Sequence, residues 1–133
     1  SIFQTMTTSM MMGDPDVVQK AFESATKIKG IEKLKIEKSK AVIELYAPDE
    51  KFTTNKLVRD VLVDKHSRVM EKDVDSHHTI RILKPMVAEK RCLMCHSNVQ
   101  VGNALGVVDL TVSLDENDAV ITKTTWMLIM FLV

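Results

Sequence analysis

The fold is decided by residues 105–114, whose sequence is LGVVDLTVSL. In this segment apolar side chains at positions 108, 110, 112 and 114 alternate with polar side chains at 109, 111 and 113. A period of two is the pattern of a β-strand that turns one face towards a core. Because a single strand cannot satisfy its own backbone groups, the segment predicts a sheet whose other strands come from upstream.

Three upstream segments predict these strands. Residues 31–37 alternate apolar with charged side chains, and residues 77–83 place Ile80 and Ile82 on the same side of an extended chain. Residues 66–70 are a weaker candidate for a strand. A four-stranded antiparallel sheet is therefore the expected centre of the molecule.

Segments of helical period surround the strands. Two amphipathic helices open the chain, at residues 2–12 and 14–30, and Asp14 followed by a proline is a typical helix start. Short helices are predicted from Ser39 and from position 53 or 54, and a last helix from Asp115. The fold class is α+β, with the helices to one side of the antiparallel sheet.

Composition supports one packed globular domain. The chain has 133 residues, of which 45% are hydrophobic and 27% are charged, so it is unlike an intrinsically disordered sequence. Lysine plus arginine and aspartate plus glutamate both number 18, which gives zero formal net charge. Since nucleic-acid binders usually carry a basic excess, no nucleic-acid partner is expected.

The chain closes on an apolar run. Residues 126–133, WMLIMFLV, are too few to cross a bilayer, which takes about 20 helical residues. Trp126 and the nearby Lys123 are typical of a membrane interface. We predict the start of a truncated transmembrane helix at 126–133, a domain at 31–125 and a helical segment at 1–30. A C-terminal core element is the alternative for the apolar run.

The chemistry of the chain points to its two cysteines, which lie in CLMCH at residues 92–96. A C-x-x-C-H motif is the attachment signal for a c-type haem. The thiols of Cys92 and Cys95 can add to the two vinyl groups of one haem, and His96 then supplies an axial imidazole ligand to the iron. The sequence therefore predicts haem c as cofactor.

Two other interpretations of the cysteines stay open. A C-x-x-C pair alone is also found in redox-active dithiols, although these are expected in a βαβ context that this chain lacks. A zinc site needs four ligands, and His77 and His78 are the residues that would complete a Cys2His2 set. Neither interpretation explains the histidine that directly follows Cys95.

The position of the motif argues against a small soluble cytochrome c, whose motif normally lies near the start of an all-helical chain. Here it begins at residue 92 and is followed by a strand and an approach to the membrane. Haem is attached to thiols on the far side of the cytoplasmic membrane, so we expect a periplasmic domain of an inner-membrane protein.

A family resemblance rests on PMVA at 85–88, the haem motif at 92–96, Gly102, LGVV at 105–108 and SL at 113–114. In these features the chain resembles the periplasmic PAS-like sensor domains with covalently bound haem of bacterial methyl-accepting chemotaxis proteins. Related domains occur in sensor kinases. The resemblance covers the second half of the chain closely and the N-terminal helices more loosely.

This resemblance implies a PAS-like antiparallel sheet with haem near its edge. It also implies a homodimer that can exchange its N-terminal helices, so that the haem sits between subunits. His96 matches the proximal ligand of the family. The sixth position on the iron holds water or a methionine in such domains.

Three methionines are the main candidates for the distal ligand of the iron: Met10, Met11 and Met12. Because successive residues of a helix point in different directions, at most one of them can face the iron. The alternative is that these residues fill the core, a common use of methionine. Further distal candidates are Met86 and Met94 and the histidines His66, His77 and His78. The candidate partners of the haem propionates, by charge, are Arg59, Arg68, Arg81 and Arg91.

The sequence thus predicts a haem sensor domain of a transmembrane chemotaxis receptor. It would respond to redox state, through a redox partner, or to a small diatomic ligand such as NO, CO or O2, by shifting the packing of its N-terminal helices. Segments flanking the domain would connect it to the membrane. The alternative is a membrane-anchored c-type cytochrome that transfers electrons. No enzymatic activity is expected, because no distal acid–base set can be assigned.

Overall fold

The computed structural model describes residues 2–11, 13 and 15–114. The helix expected from Asp115 and the apolar run at 126–133 lie outside these residues, as does Met12. Among the described residues, no helix combines the length and the apolar character needed to cross a membrane.

Nine elements make up the described chain, and their order confirms the α+β class. They are α1 (Ile2–Met11), α2 (Pro15–Thr26), β1 (Ile31–Lys38), α3 (Lys40–Tyr46), α4 (Lys56–Asp64), β2 (Arg68–Val74), β3 (His77–Val87), a 3₁₀-helix (Lys90–Met94) and β4 (Ala104–Ser113).

The strands form one antiparallel sheet in the order β1-β4-β3-β2. The last part of β4 runs beside the first residues of both its neighbours, since Ser113 N–H donates to Gly30 C=O at 2.7 Å and Leu114 N–H donates to His78 C=O at 2.8 Å. The strand predicted from the alternating pattern at 105–114 is therefore a central strand.

Strand β4 is buried on both sides, which its alternating pattern did not predict. Val108, Leu110 and Val112 are at most 1% exposed, and the polar Asp109 and Ser113 on the opposite face are also buried. Asp109 tolerates burial because it accepts two hydrogen bonds from Arg81, at 2.9 and 2.7 Å. A satisfied carboxylate can thus occupy a core position of the sheet.

The helix expected from Thr53 or Thr54 begins later, at Lys56. Asn55 is its N-cap, and the Asn55 side chain accepts a hydrogen bond from Val58 N–H at 3.1 Å. Two other segments also differ from the prediction. Helix α2 ends at Thr26 rather than near Gly30, and the expected cysteine loop contains a 3₁₀-helix.

By its contacts the chain divides into two units. The first consists of residues 1–34, 71–80 and 111–133, of which the described part holds α1 and α2. These helices pack against each other, and Met6 and Ala25 are buried. Two histidine–carboxylate pairs also lie in this unit, His77 with Glu32 at 2.7 Å and His78 with Asp73 at 2.5 Å.

The second unit consists of residues 35–70 and 81–110. Helix α4 buries Val58 and Val61 against Leu83 of β3 and Val107 of β4. Helix α3 buries Val42 in a separate cluster with two other residues of this unit. These clusters fix the frame on which the cysteine motif is held.

Gly106 is required by a close approach between β4 and β1. A Cβ at this position would lie 2.7 Å from the backbone carbonyl oxygen of Glu37. Next to this approach, Ser39 N–H donates to Leu105 C=O at 3.0 Å. The start of β4 is thereby held against the end of β1, directly before α3 begins.

Candidate functional site

The cysteine motif begins in the 3₁₀-helix and leaves it through a short turn. Cys92 N–H donates to Glu89 C=O at 2.9 Å, and Cys92 C=O in turn accepts from Cys95 N–H at 3.3 Å and from His96 N–H at 2.9 Å. The two hydrogen bonds to Cys92 C=O fold the backbone into a turn between Cys92 and His96. We call residues 92–96 the cysteine segment.

The two thiols of the cysteine segment differ in their surroundings. Cys92 is half-buried and packs against the cluster formed by Val42, Ala88 and Leu105, and its sulfur accepts a hydrogen bond from Glu89 N–H at 3.4 Å. Cys95 is exposed, and both cysteines are free thiols. The segment therefore has one anchored and one accessible sulfur.

His96 is half-buried, and its Nδ1 atom is fully buried. Among the described residues, this is the only buried side-chain nitrogen or oxygen of a non-exposed residue that has no hydrogen-bond partner. Burial lowers the pKa of His96 below its ordinary value of 6.5, so the neutral imidazole is favoured at pH 7. A neutral imidazole is the form of histidine that binds a metal ion.

Helix α3 holds the cysteine segment through its last residue. The Tyr46 hydroxyl donates a hydrogen bond to Cys95 C=O, and the Tyr46 ring meets the His96 ring edge to face, with centroids 5.4 Å apart and planes at 69°. A second hydrogen bond to α3 lies just after the cysteine segment, where Asn98 Nδ2 donates to Ala41 C=O at 2.9 Å.

Sequence reasoning missed both Tyr46 and Asn98. Tyr46 is the only tyrosine of the chain, but nothing in its spacing connects it with a motif 49 positions away. Only the return of the chain after β3 to the end of α3 brings them together.

Comparison with protein families supplies the wider context of this site. A family described as "Methyl-accepting chemotaxis sensory transducer, class 40H, sensor" matches residues 1–115. The chain belongs to this family of chemotaxis sensor domains. The match includes the cysteine segment, and it confirms the chemotaxis-receptor part of the resemblance. No curated protein matches the sensor domain.

The donor set of the sensor domain fits a c-type haem. Attachment of this cofactor needs two free thiols and one neutral imidazole from the protein, and the cysteine segment supplies them as Cys92, Cys95 and His96. A closed zinc site needs four protein ligands. The described residues contain no group of three or more His, Cys, Asp or Glu side chains placed to hold a metal ion. His77 and His78 instead pair with carboxylates.

The candidate distal methionines of the sensor domain differ in exposure. Met10 is half-buried and Met11 is 46% exposed, both in α1, while the placement of Met12 is not described. Met94, inside the cysteine segment, is 89% exposed, and Met86 is half-buried in β3. In α1 the buried methionine is Met6, which packs as a core residue.

The four arginines predicted as propionate partners all have partners within the protein. Arg81 pairs with Asp109, Arg68 pairs with Asp64, and Arg91 pairs with Glu89 at 2.7 Å. Arg59 donates to Thr53 C=O at 2.7 Å and lies over the Phe52 ring. Of these four, only Arg91 lies in the 3₁₀-helix that contains Cys92.

Proposed function

We propose that the chain is the periplasmic haem c sensor domain of a transmembrane chemotaxis receptor, and that it senses redox state or a small diatomic ligand. The observation that carries this proposal is the state of His96. It directly follows Cys95, is half-buried and favours the neutral imidazole that binds metal, and the two cysteines of the segment are free thiols. In a chain of the chemotaxis sensor family, this combination favours haem attachment at the signal-receiving end of the receptor.

Each residue of the cysteine segment has a defined role in this proposal. Cys92 and Cys95 would hold a haem through thioether bonds, and His96 would bind its iron. Since Nδ1 is the buried ring nitrogen, Nε2 is the nitrogen that we assign to the metal. A bound haem supplies an iron that changes oxidation state and can take up NO, CO or O2.

A methionine of the N-terminal helices would be the second protein ligand of the iron, or water would take that place. Met10 and Met11 lie on α1, and Met12 follows it. In a homodimer that exchanges these helices, such a methionine would come from the partner subunit. Replacement of that ligand would change the helix packing that the receptor reads.

The contacts of α3 provide the route by which the cysteine segment would act on the sheet. Tyr46 at the end of α3 holds Cys95 C=O, and Ser39 at its start donates to Leu105 C=O of β4. Strand β4 continues towards residues 115–133, in which the predicted membrane segment lies. A displacement of the cysteine segment would therefore pass through a short helix to the strand that leads to the membrane.

An optical titration tests the proposal. The chain is produced in a bacterial periplasm with the haem-attachment machinery, and spectra are recorded oxidised and reduced, with and without CO. We expect a c-type spectrum that changes with CO, together with altered hydrogen exchange in α1, α2 and β4. A six-coordinate haem that is inert to CO would instead identify the electron-transfer alternative. Unchanged exchange after both reduction and gas binding would contradict signalling through these elements.

A further inference from the structure

We propose that Tyr46 is the residue that positions the His96 ring for metal binding, an inference that rests on the haem c function proposed above. Tyr46 lies at the C-terminal end of α3 and touches the motif at two adjacent residues. It acts through His96 and is not itself a metal ligand.

The two contacts of Tyr46 restrain different parts of the same unit. Its hydroxyl holds the backbone at Cys95 C=O, while its ring packs edge to face on the imidazole of the next residue. The hydrogen bond limits movement of the peptide that carries His96, and the ring contact limits rotation of the imidazole.

His96 needs this restraint because it lacks the usual one. A metal-binding histidine normally donates its second ring N–H to a carboxylate, a carbonyl or water, and this bond fixes the ring plane. Nδ1 of His96 is buried and has no hydrogen-bond partner among the described residues. The orientation of the ring is therefore left to packing, and Tyr46 is the aromatic ring against it.

Tyr46 can be changed without removing a core residue. It is 57% exposed, whereas α3 is anchored by the buried Val42 and by Ser39, whose side chain accepts from Val42 N–H at 3.3 Å. Leu45, the preceding residue of the helix, is 43% exposed and offers a matched control. Y46F keeps the ring and loses the hydroxyl, and Y46A loses both.

The first part of the test uses the haem-free chain. We expect Y46A to shift the NMR signals of the His96 ring protons, because the neighbouring aromatic ring is gone, and L45A to leave them unchanged. Loss of the hydroxyl in both Tyr46 variants should speed amide exchange within the cysteine segment about fivefold, in line with the usual value of one hydrogen bond. Equal ring signals and equal exchange in all variants would overturn the inference.

The second part uses the haem-loaded chain. The hyperfine-shifted methyl signals of a ferric haem report the plane of the axial imidazole, and the reduction potential reports its bonding. Y46A should change both, Y46F should restore the wild-type methyl pattern, and L45A should match wild type. Wild-type signals in a haem-loaded Y46A would show that Tyr46 does not position His96. Failure of the wild-type chain to attach haem would instead contradict the proposed function, with the haem-free measurements still deciding whether Tyr46 holds the ring.

Discussion

Residues 104–110 of strand β4 and the cysteine segment belong to the same contact unit, yet they satisfy their polar groups in opposite ways. In β4 the buried carboxylate of Asp109 receives two hydrogen bonds from Arg81, so a charged group at 2% exposure is fully compensated. In the cysteine segment Nδ1 of His96 is buried without a partner, and both thiols are free.

This difference separates the part of the unit that stabilises the fold from the part that is available for chemistry. Leaving a buried polar group unpaired costs about 1–3 kcal/mol, so the unpaired Nδ1 of His96 marks the cysteine segment as a place where the fold gives up stability. The buried carboxylate of β4 is paired with Arg81 of β3, whereas the cysteine segment has the donor atoms that a covalently attached cofactor would use.

The largest effect is expected on haem attachment, when both thiols of the cysteine segment are removed. C92A/C95A should abolish covalent attachment of haem completely, because no other cysteine exists in the chain. The measurement is the haem that stays with the protein after denaturing gel electrophoresis. M94A, which changes the 89% exposed residue between the cysteines, is the control and should keep its haem. Haem retained by the double variant would break the assignment of the site.

Breaking the ion pair of β4 should give the largest effect on stability. R81M removes the guanidinium that donates two hydrogen bonds to the buried Asp109 carboxylate, and we expect a loss of about 3–5 kcal/mol in the free energy of unfolding. Urea denaturation of the haem-free chain measures this loss. The double variant R81M/D109L should recover most of it, because no uncompensated charge remains. A loss below about 1 kcal/mol in R81M would contradict the account of β4.

A smaller loss of stability is expected from a substitution at Gly106, where β4 approaches β1. G106A places a Cβ 2.7 Å from the backbone oxygen of Glu37, so either strand must shift. We expect about 1–3 kcal/mol of destabilisation, the usual range for overpacking. V101A, at a position that is 60% exposed, should stay within about 0.5 kcal/mol of wild type in the same denaturation assay. Equal stabilities of G106A and V101A would show that the close approach is unimportant.

The smallest expected effect is on the pH dependence of stability, to which the half-buried imidazole of His96 contributes. Burial lowers the pKa of His96 in the folded chain below 6.5, so the unfolded chain binds this proton more readily. The contribution of His96 to stability is therefore fully present above pH 6.5 and is lost as the pH falls below that value. H96Q should remove this part of the pH dependence, while H66Q, at an exposed histidine, should keep it. A steeper loss in H96Q on acidification would mean that the sign is wrong.

Much of the fold followed from local pattern. The strands at 31–37 and 105–114, the start of α3 at Ser39 and the paired N-terminal helices were predicted because each depends on periodicity or capping within a few residues. The burial of both faces of β4 was not, because it depends on the partner that Arg81 provides 28 positions earlier.

The cysteine segment could be recognised from the sequence, whereas the side chains that support it could not. Cys92, Cys95 and His96 form a contiguous motif, so spacing alone identifies them. Tyr46 and Asn98 act through contacts 49 and 57 positions apart in sequence, and only the folded chain shows them. The exposure of Met11 and the half-burial of Met10 also depend on how α1 packs against α2.

The most direct test of the central claim is the mass of the denatured wild-type chain after production in a periplasm that attaches haem c, combined with its pyridine haemochrome spectrum. We expect the mass to increase by one haem per chain. The spectrum should be that of a haem whose two vinyl groups are both saturated. An unmodified mass with two free thiols or one disulfide, from cells that attach haem to a control cytochrome, would contradict it.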